Sequence, residues 1–227
     1  MKLEQKKDIT ALVLSILVLI IYFCTLLSSS ALAVDWVAPF VIFILAALLV
    51  FTQHEINPPF ISFFLCCYIF TMIAEIMGVN KSLFFGNYDF GKGLGFTVKM
   101  VPLVMGLLGF IVVYCSGIFT ESLYRFVEKK YPPDNLLPSK VQKFSIVVDG
   151  AFISTFFVWA IERAAAKLDW WHWPGANVPL MNYVTWFILS AVLLLVFELL
   201  KFSKTNQFAV HLFIVMLLFF FAVKTLL

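Results

Sequence analysis

Long apolar runs separated by short polar or proline-bearing breaks fill most of the chain, and their length decides what they are. A helix needs about 20 apolar residues to cross the hydrocarbon core of a bilayer, whereas buried strands are far shorter. Seven runs reach or approach that length, over residues 9–27, 37–51, 60–77, 102–126, 144–168, 181–200 and 206–224, the second being the shortest. The breaks carry stop and start signals. At Gln53-His54-Glu55-Ile56-Asn57-Pro58-Pro59 two prolines end one run and open the next. Gly78 reads as a C-terminal cap of the third run, Pro102 suits the first turn of the fourth, and Tyr131-Pro132-Pro133-Asp134-Asn135 is a hydrophilic turn. The predicted fold is all-α, a polytopic integral membrane helical bundle of about seven transmembrane helices in a single transmembrane domain over residues 1–227.

The start of the chain resembles a secretory leader: Lys2, Lys6 and Lys7, then an apolar stretch, then Ser28-Ser29-Ser30-Ala31-Leu32-Ala33. The apolar stretch exceeds the roughly 7–15 residues a leader uses, so it reads as a retained first helix. Composition agrees with a membrane protein, at 63% hydrophobic and 13% charged residues, against about 25% charged in soluble domains. A net charge of +3, spread over several loops, gives no nucleic-acid surface. Ten lysines and arginines fall on the side of the N-terminus and six on the other, which favours a cytoplasmic N-terminus in a cell (inner) membrane. Cys24, Cys66, Cys67 and Cys115 lie inside apolar runs without metal-ligand spacing and read as small hydrophobes. The 27 phenylalanines read mainly as lipid-facing.

Glu75 stands inside an apolar helix, where an ionisable side chain is a functional candidate, since placing a charge there costs about 2.5–3.5 kcal/mol. Counting crossings puts the ends of the third and fifth helices at one membrane face. Glu75, the Gly86–Gly95 loop, Glu162-Arg163 and the Trp170-Trp171-His172-Trp173 loop therefore gather there, with Pro102 and Asn182. Glu121, Asp149 and Glu198 gather toward the other face, beside Arg125, Lys143 and Lys201, as ion pairs or an ion path. Two carboxyl groups in a poorly hydrated pocket cannot both ionise cheaply, and a carboxylic acid facing an apolar substrate can protonate an alkene. The alternative is that Glu162 pairs with Arg163 or Lys99 and Glu75 only bonds the loop. Tyr88, Phe90, Trp171, Trp173 and Trp186 could face a cation through their rings or form an interfacial belt. Asn182 could position a water or cap a helix. His172 reads as an interface residue and His211 as a hydrogen-bonded core histidine.

These residues also resemble a family. Glu75-x-x-Gly78, Gly86-x-Tyr88-x-Phe90, Gly93-x-Gly95, Val101-Pro102 and Tyr114 form one block. Glu162-Arg163-Ala164-Ala165-Ala166-Lys167-Leu168, Trp171-x-Trp173, Val178-Pro179-Leu180-x-Asn182-Tyr183 and Trp186 form the second. Together they are similar to the membrane carotenoid-biosynthesis hydratases, the carotenoid 1',2'-hydratase and bisanhydrobacterioruberin hydratase type. The family's paired acid, Asp-x-x-x-Asp-Pro, is altered: Val158 stands at the first Asp and Glu162-Arg163 at the Asp-Pro. Thr185 replaces a glycine, and Asp149 is a conceivable substitute acid.

The resemblance implies water addition across the terminal C1–C2 double bond of an acyclic carotenoid (lycopene or a relative), without cofactor or metal. Glu75, Glu162 and Asn182 would be catalytic. Tyr88, Phe90, Trp171, Trp173 and Trp186 would hold substrate, supported by Arg163, Gly86, Pro102 and Pro179. Membrane lipid and other carotenoid-pathway enzymes are the expected neighbours. The competing readings are an end-group cyclase, and a non-catalytic pigment carrier or proton-coupled transporter. The position of Lys224, at the end of the last helix rather than deep within it, argues against a retinal protein.

Overall fold

The computed structural model describes residues 2–27, 31–131 and 138–227; Ser28-Ser29-Ser30 and turn residues 132–135 lie outside the described residues. It contains α1 (Lys2–Leu27), α2 (Ala31–Thr52), α3 (Pro58–Lys81), α4 (Val104–Lys130), α5 (Ser139–Ala165), α6 (Leu180–Leu199) and α7 (Gln207–Leu226). Six of these are long and apolar enough to cross a membrane, and the apolar part of α2, Trp36–Thr52, is shorter. The chain is a multi-pass helical membrane protein.

Local chemistry sets the helix ends. The Asn57 side chain accepts from the Phe60 amide at 3.0 Å and Pro58 and Pro59 occupy the first turn of α3, where their missing amide hydrogens cost nothing. Asn206 caps α7 in the same way, accepting from the Ala209 amide at 3.0 Å. Gly78 is not a cap. The helix runs on to Lys81 and closes at Ser82 in the left-handed region, φ 51°.

Helix α4 is the axis of the bundle and packs against α2, α3, α5, α6 and α7. Small residues let the neighbours approach: the Tyr68 ring lies on Gly106, the Thr71 side chain on Gly109 and Leu194 on Gly117. Phenylalanine divides into two populations. Phe40, Phe43 and Phe144 are exposed, whereas Phe60, Phe63, Phe110 and Phe197 form a buried aromatic core with Tyr114 and Phe202 at the end of the bundle away from Glu75. Next to that core, Tyr114 donates to Gln53, and Asn206 donates to Tyr114 at 3.2 Å and to Thr52 at 3.1 Å.

The two unusual loops meet as a pair of short antiparallel ribbons. Strand β1 (Asp89–Phe90) pairs with β4 (Trp171–His172), Phe90 opposite Trp171; β2 (Thr97–Val98) pairs with β3 (Val101–Pro102). The β1–β4 contact continues as Gly91 N–H to Trp170 O at 3.0 Å and Gly93 N–H to Asp169 O at 2.9 Å. Glycine is required here, since a Cβ at Gly91 or Gly93 would collide with the Asp169 backbone.

Asp169 ties the two loops together through its side chain, accepting from the Lys92 amide at 2.9 Å and meeting His172 Nε2 at 2.7 Å. Partial burial pushes its carboxyl up, but the His172 and Lys92 contacts outweigh this and hold it below its ordinary value. A lowered folded-state value means that the contribution is fully present above the ordinary carboxylate range and is lost only on further acidification. Asp169→Ala is therefore expected to speed limited proteolysis within residues 82–103 and 166–179 at neutral pH. Wild type should show that sensitivity only in strong acid.

Candidate active site

The site is a small cavity beneath these joined loops, lined by Glu75, Phe85, Tyr88, Phe90, Met105, Leu108, Val112, Val158, Ile161, Glu162, Trp171, Trp173, Asn182 and Trp186. It leaves about 20 Å³ for the centre of a water-sized sphere, which is room for about one water molecule. Helices α3 and α5 thus deliver Glu75 and Glu162 to the same space, as the crossing count predicts.

The two carboxyl groups are held differently. Glu75 is 3% exposed, and the Tyr88 phenol donates to its Oε2; among the described residues no other hydrogen bond reaches it. Tyr88 is kept neutral, because burial pushes its ionisation well above the ordinary phenol value. Glu162 has three donors. Trp171 Nε1 and Trp173 Nε1 each approach Oε2 at 2.9 Å, and Asn182 Nδ2 approaches Oε1 at 2.7 Å. Three N–H groups offset more of the cost of charging a buried carboxyl group than one donor does, so of the two Glu162 is the easier to ionise and Glu75 the better holder of a proton.

Gly78 is the reason Tyr88 can reach Glu75. It lies one turn further along α3, and a Cβ there would sit 2.7 Å from the Phe85 ring and 3.0 Å from the Tyr88 hydroxyl. Gly78→Ala is expected to push both rings aside and lower stability by about 1–3 kcal/mol, the usual cost of overpacking. Thermal unfolding in detergent, followed beside turnover, checks this: both should fall together.

The remaining expected residues sort by position. Gly86, at φ +107°, packs on Pro179, which precedes α6, and on Trp173; a Cβ there would meet the Pro179 ring at 3.1 Å. Phe90 stands between Tyr88 and Trp171 with centroids 5.5 and 6.3 Å away, and Trp186 packs on Phe85. Pro102 is buried in the second ribbon, outside the cavity wall. Arg163 turns outward, 4.7 Å over the Trp159 ring. Among the described residues Glu162 has no ion pair, so its orientation comes from indole and amide donors rather than from Arg163 or Lys99. Trp171 and Trp173 are thus spent on Glu162 rather than on a lipid-facing belt. Trp170 is structural, donating to the Tyr22 hydroxyl at 3.2 Å.

Residues considered outside the site stay outside it. Asp149 is exposed and accepts from Tyr124 at 2.6 Å, so it does not stand in for an acid at position 158. Glu198 meets Lys204 at 3.3 Å and Glu121 lies 4.0 Å from Arg125, toward the opposite end. His172 is exposed, and His211 is also exposed rather than a core histidine, because it lines an open pocket with Glu4, Asp8 and His54.

The cavity, its two acids and the blocks that carry them coincide with a family match. The profile of the carotenoid biosynthesis protein family matches residues 36–227. The chain belongs to that family. Its members' common ground is carotenoid biosynthesis, which points to a lipid-soluble carotenoid-related substrate, and the cavity wall is mainly aromatic and aliphatic. No curated protein and no solved structure matches the chain. Within the family pattern, Val158 now has a place: it lines the cavity one turn from Glu162.

Proposed function

We propose that this carotenoid biosynthesis protein is a hydratase that adds water to the terminal C1–C2 double bond of an acyclic carotenoid end group. The observation that supports it best is the unequal hydrogen bonding of two carboxyl groups in one apolar, water-sized cavity.

Glu75 is the acid. With Oε2 fixed by Tyr88, its proton passes to C2; the new C–H bond forms as the π bond breaks, leaving a tertiary cation at C1. The rings of Tyr88, Phe90, Trp171 and Trp173 line the space in which that charge develops and stabilise it through their faces. Glu162 is the base. A water held by its carboxylate and by the Asn182 carbonyl oxygen attacks C1 and gives a proton to Glu162. Return of that proton to Glu75 resets the pair, so the balance is one alkene plus one water to one tertiary alcohol.

A cavity with room for about one water cannot also admit an end group, so substrate entry displaces a wall. The Phe84–Phe85 stretch is the candidate. It closes α3 against α6 through Thr185 Oγ1 donating to Phe84 O at 2.9 Å and Phe85 packing on Trp186, and Phe84 itself is 47% exposed at φ 72°. Opening there would let a lipid-dissolved polyene enter from the side.

Expression in a lycopene-producing host tests the reading by product mass. A gain of one water supports the hydratase. An isomer of unchanged mass carrying a ring would make the protein a cyclase, and unaltered lycopene would make it a carrier; either overturns the proposal.

A further inference from the structure

Below the cavity floor lie buried hydroxyl groups that the reaction does not use. Among the described residues five buried side-chain oxygens have no hydrogen-bond partner, and three of them are the hydroxyls of Ser116, Ser154 and Ser190, each 0% exposed. Helix register brings these three into one layer. Along the antiparallel α5–α6 pair, Glu162 meets Asn182, and a Cβ on Gly150 would lie 2.8 Å from Leu194. Steps of four residues between those two contacts pair Val158 with Trp186 and then Ser154 with Ser190. Between α4 and α5, the Gly150 Cβ position lies 3.4 Å from Thr120, and Val112 and Val158 share the cavity wall; the same step pairs Ser116 with Ser154. All three serines therefore sit one helical turn, about 6 Å, beneath the cavity-lining Val112, Val158 and Trp186.

Thr71 in α3 is also unpartnered, but several other helical hydroxyls in the protein satisfy themselves locally. Thr52, Thr120, Thr155 and Thr225 each donate to a carbonyl four residues back, at 2.8–2.9 Å. The three serines make no such bond, although they are more deeply enclosed than Thr155 or Thr225. Leaving one buried hydroxyl unpaired costs about 1–3 kcal/mol, and three in one layer of a membrane bundle amount to a standing penalty unless a polar guest relieves it. Buried waters make about three hydrogen bonds each, to groups of this kind.

We infer that Ser116, Ser154 and Ser190 form an internal water-binding site beneath the floor of the cavity. Its role rests on the hydratase reading: water is a reactant there, the cavity accommodates about one molecule, and an entering end group displaces it. A water stored one turn deeper is positioned to refill the place beside Glu162 once the end group is seated. Leu194, packed against Gly117 and Gly150, closes the layer from below, so the stored water communicates with the cavity rather than with the opposite face.

The test uses the full chain in lipid nanodiscs and X-ray hydroxyl-radical footprinting read by mass spectrometry, which marks side chains next to bound water without turnover. Wild type should label Leu194, which borders the serine layer and lies outside the cavity wall. Ser154→Ala should lower that label by about fivefold, the effect of losing roughly one hydrogen bond, while the label at Trp171 and Trp173 persists. Its melting temperature should also fall, whereas removing a hydroxyl from a dry layer would leave it unchanged or raise it. Absence of label in wild type, or label and melting temperature unaffected by Ser154→Ala, overturns the site. Because neither readout requires catalysis, label without any hydrated product would retire the hydratase reading alone. Hydration without label would retire the water site alone.

Discussion

Glu75→Gln abolishes hydration in the expected experiment, lowering product formation by about 10²–10⁴-fold, the range for loss of a general acid. The reasoning is that glutamine conserves the shape of the site. Its amide oxygen still accepts the Tyr88 hydroxyl proton, Gly78 still leaves room for the ring, and no charge is stranded at a position that is 3% exposed. Only the transferable proton is gone. Stability should therefore stay close to wild type while turnover collapses, and unfolding in detergent next to product quantification separates the two. A large loss of stability would mean that Glu75 serves the fold.

Glu162→Gln has a different expected signature, although the loss of hydrated product falls in the same range of about 10²–10⁴-fold. Glu75 can still protonate the alkene in this variant, but nothing accepts the proton of the attacking water. The cation must then lose a proton back to Glu75 or to another acceptor. Run in heavy water, the variant should exchange hydrogen at C2 or release double-bond isomers while making little alcohol. The Glu75 variant should do neither. The amide also places an N–H group against the Asn182 donor, which sits at 2.7 Å in the wild type. A stability loss of about 1–3 kcal/mol, typical of a buried donor left without its acceptor, is expected here and not in Glu75→Gln. Equal behaviour of the two variants in both assays would remove the distinction between acid and base.

The membrane bundle is plain in the sequence because bilayer thickness imposes a length that few other structures need, and six of the seven apolar runs show it. The meeting of Glu75 and Glu162 is also legible, because alternation of direction across a membrane fixes which helix ends share a face. What escapes is whatever depends on one face of an apolar helix. Met105, Leu108, Val112 and Ile161 line the cavity, yet lipid and a greasy cavity select the same residue types, so no polar–apolar periodicity distinguishes them. Gly78 illustrates a local signal with two physical meanings. A glycine near the end of an apolar run resembles a cap, but here its missing Cβ makes room for Tyr88 within the last turn of the helix. Trp171 and Trp173 carry a third kind of ambiguity: an interfacial tryptophan and an indole donor to a buried carboxylate look alike until the strand pairing of Phe90 with Trp171 folds the loop inward. The serine layer could have been suspected only from serines at matching depth in α4, α5 and α6, and depth is not readable before the register is known.

Arg163 marks the limit of reasoning from neighbours in sequence. It follows Glu162 directly, but one residue along a helix turns the side chain by roughly 100°, away from the cavity and onto Trp159. The partners of Glu162 come instead from the loop that carries β4 and from the next helix, 9, 11 and 20 residues on.

Infrared spectroscopy of the protein in lipid, at neutral pH and without substrate, tests the central claim most directly, because the carbonyl stretch of a carboxylic acid is resolved from that of a carboxylate. Wild type is expected to show a protonated carboxyl band that disappears in Glu75→Gln and persists in Glu162→Gln. A band that survives in Glu75→Gln, or that vanishes only with Glu162, would contradict the assignment of Glu75 as the proton donor.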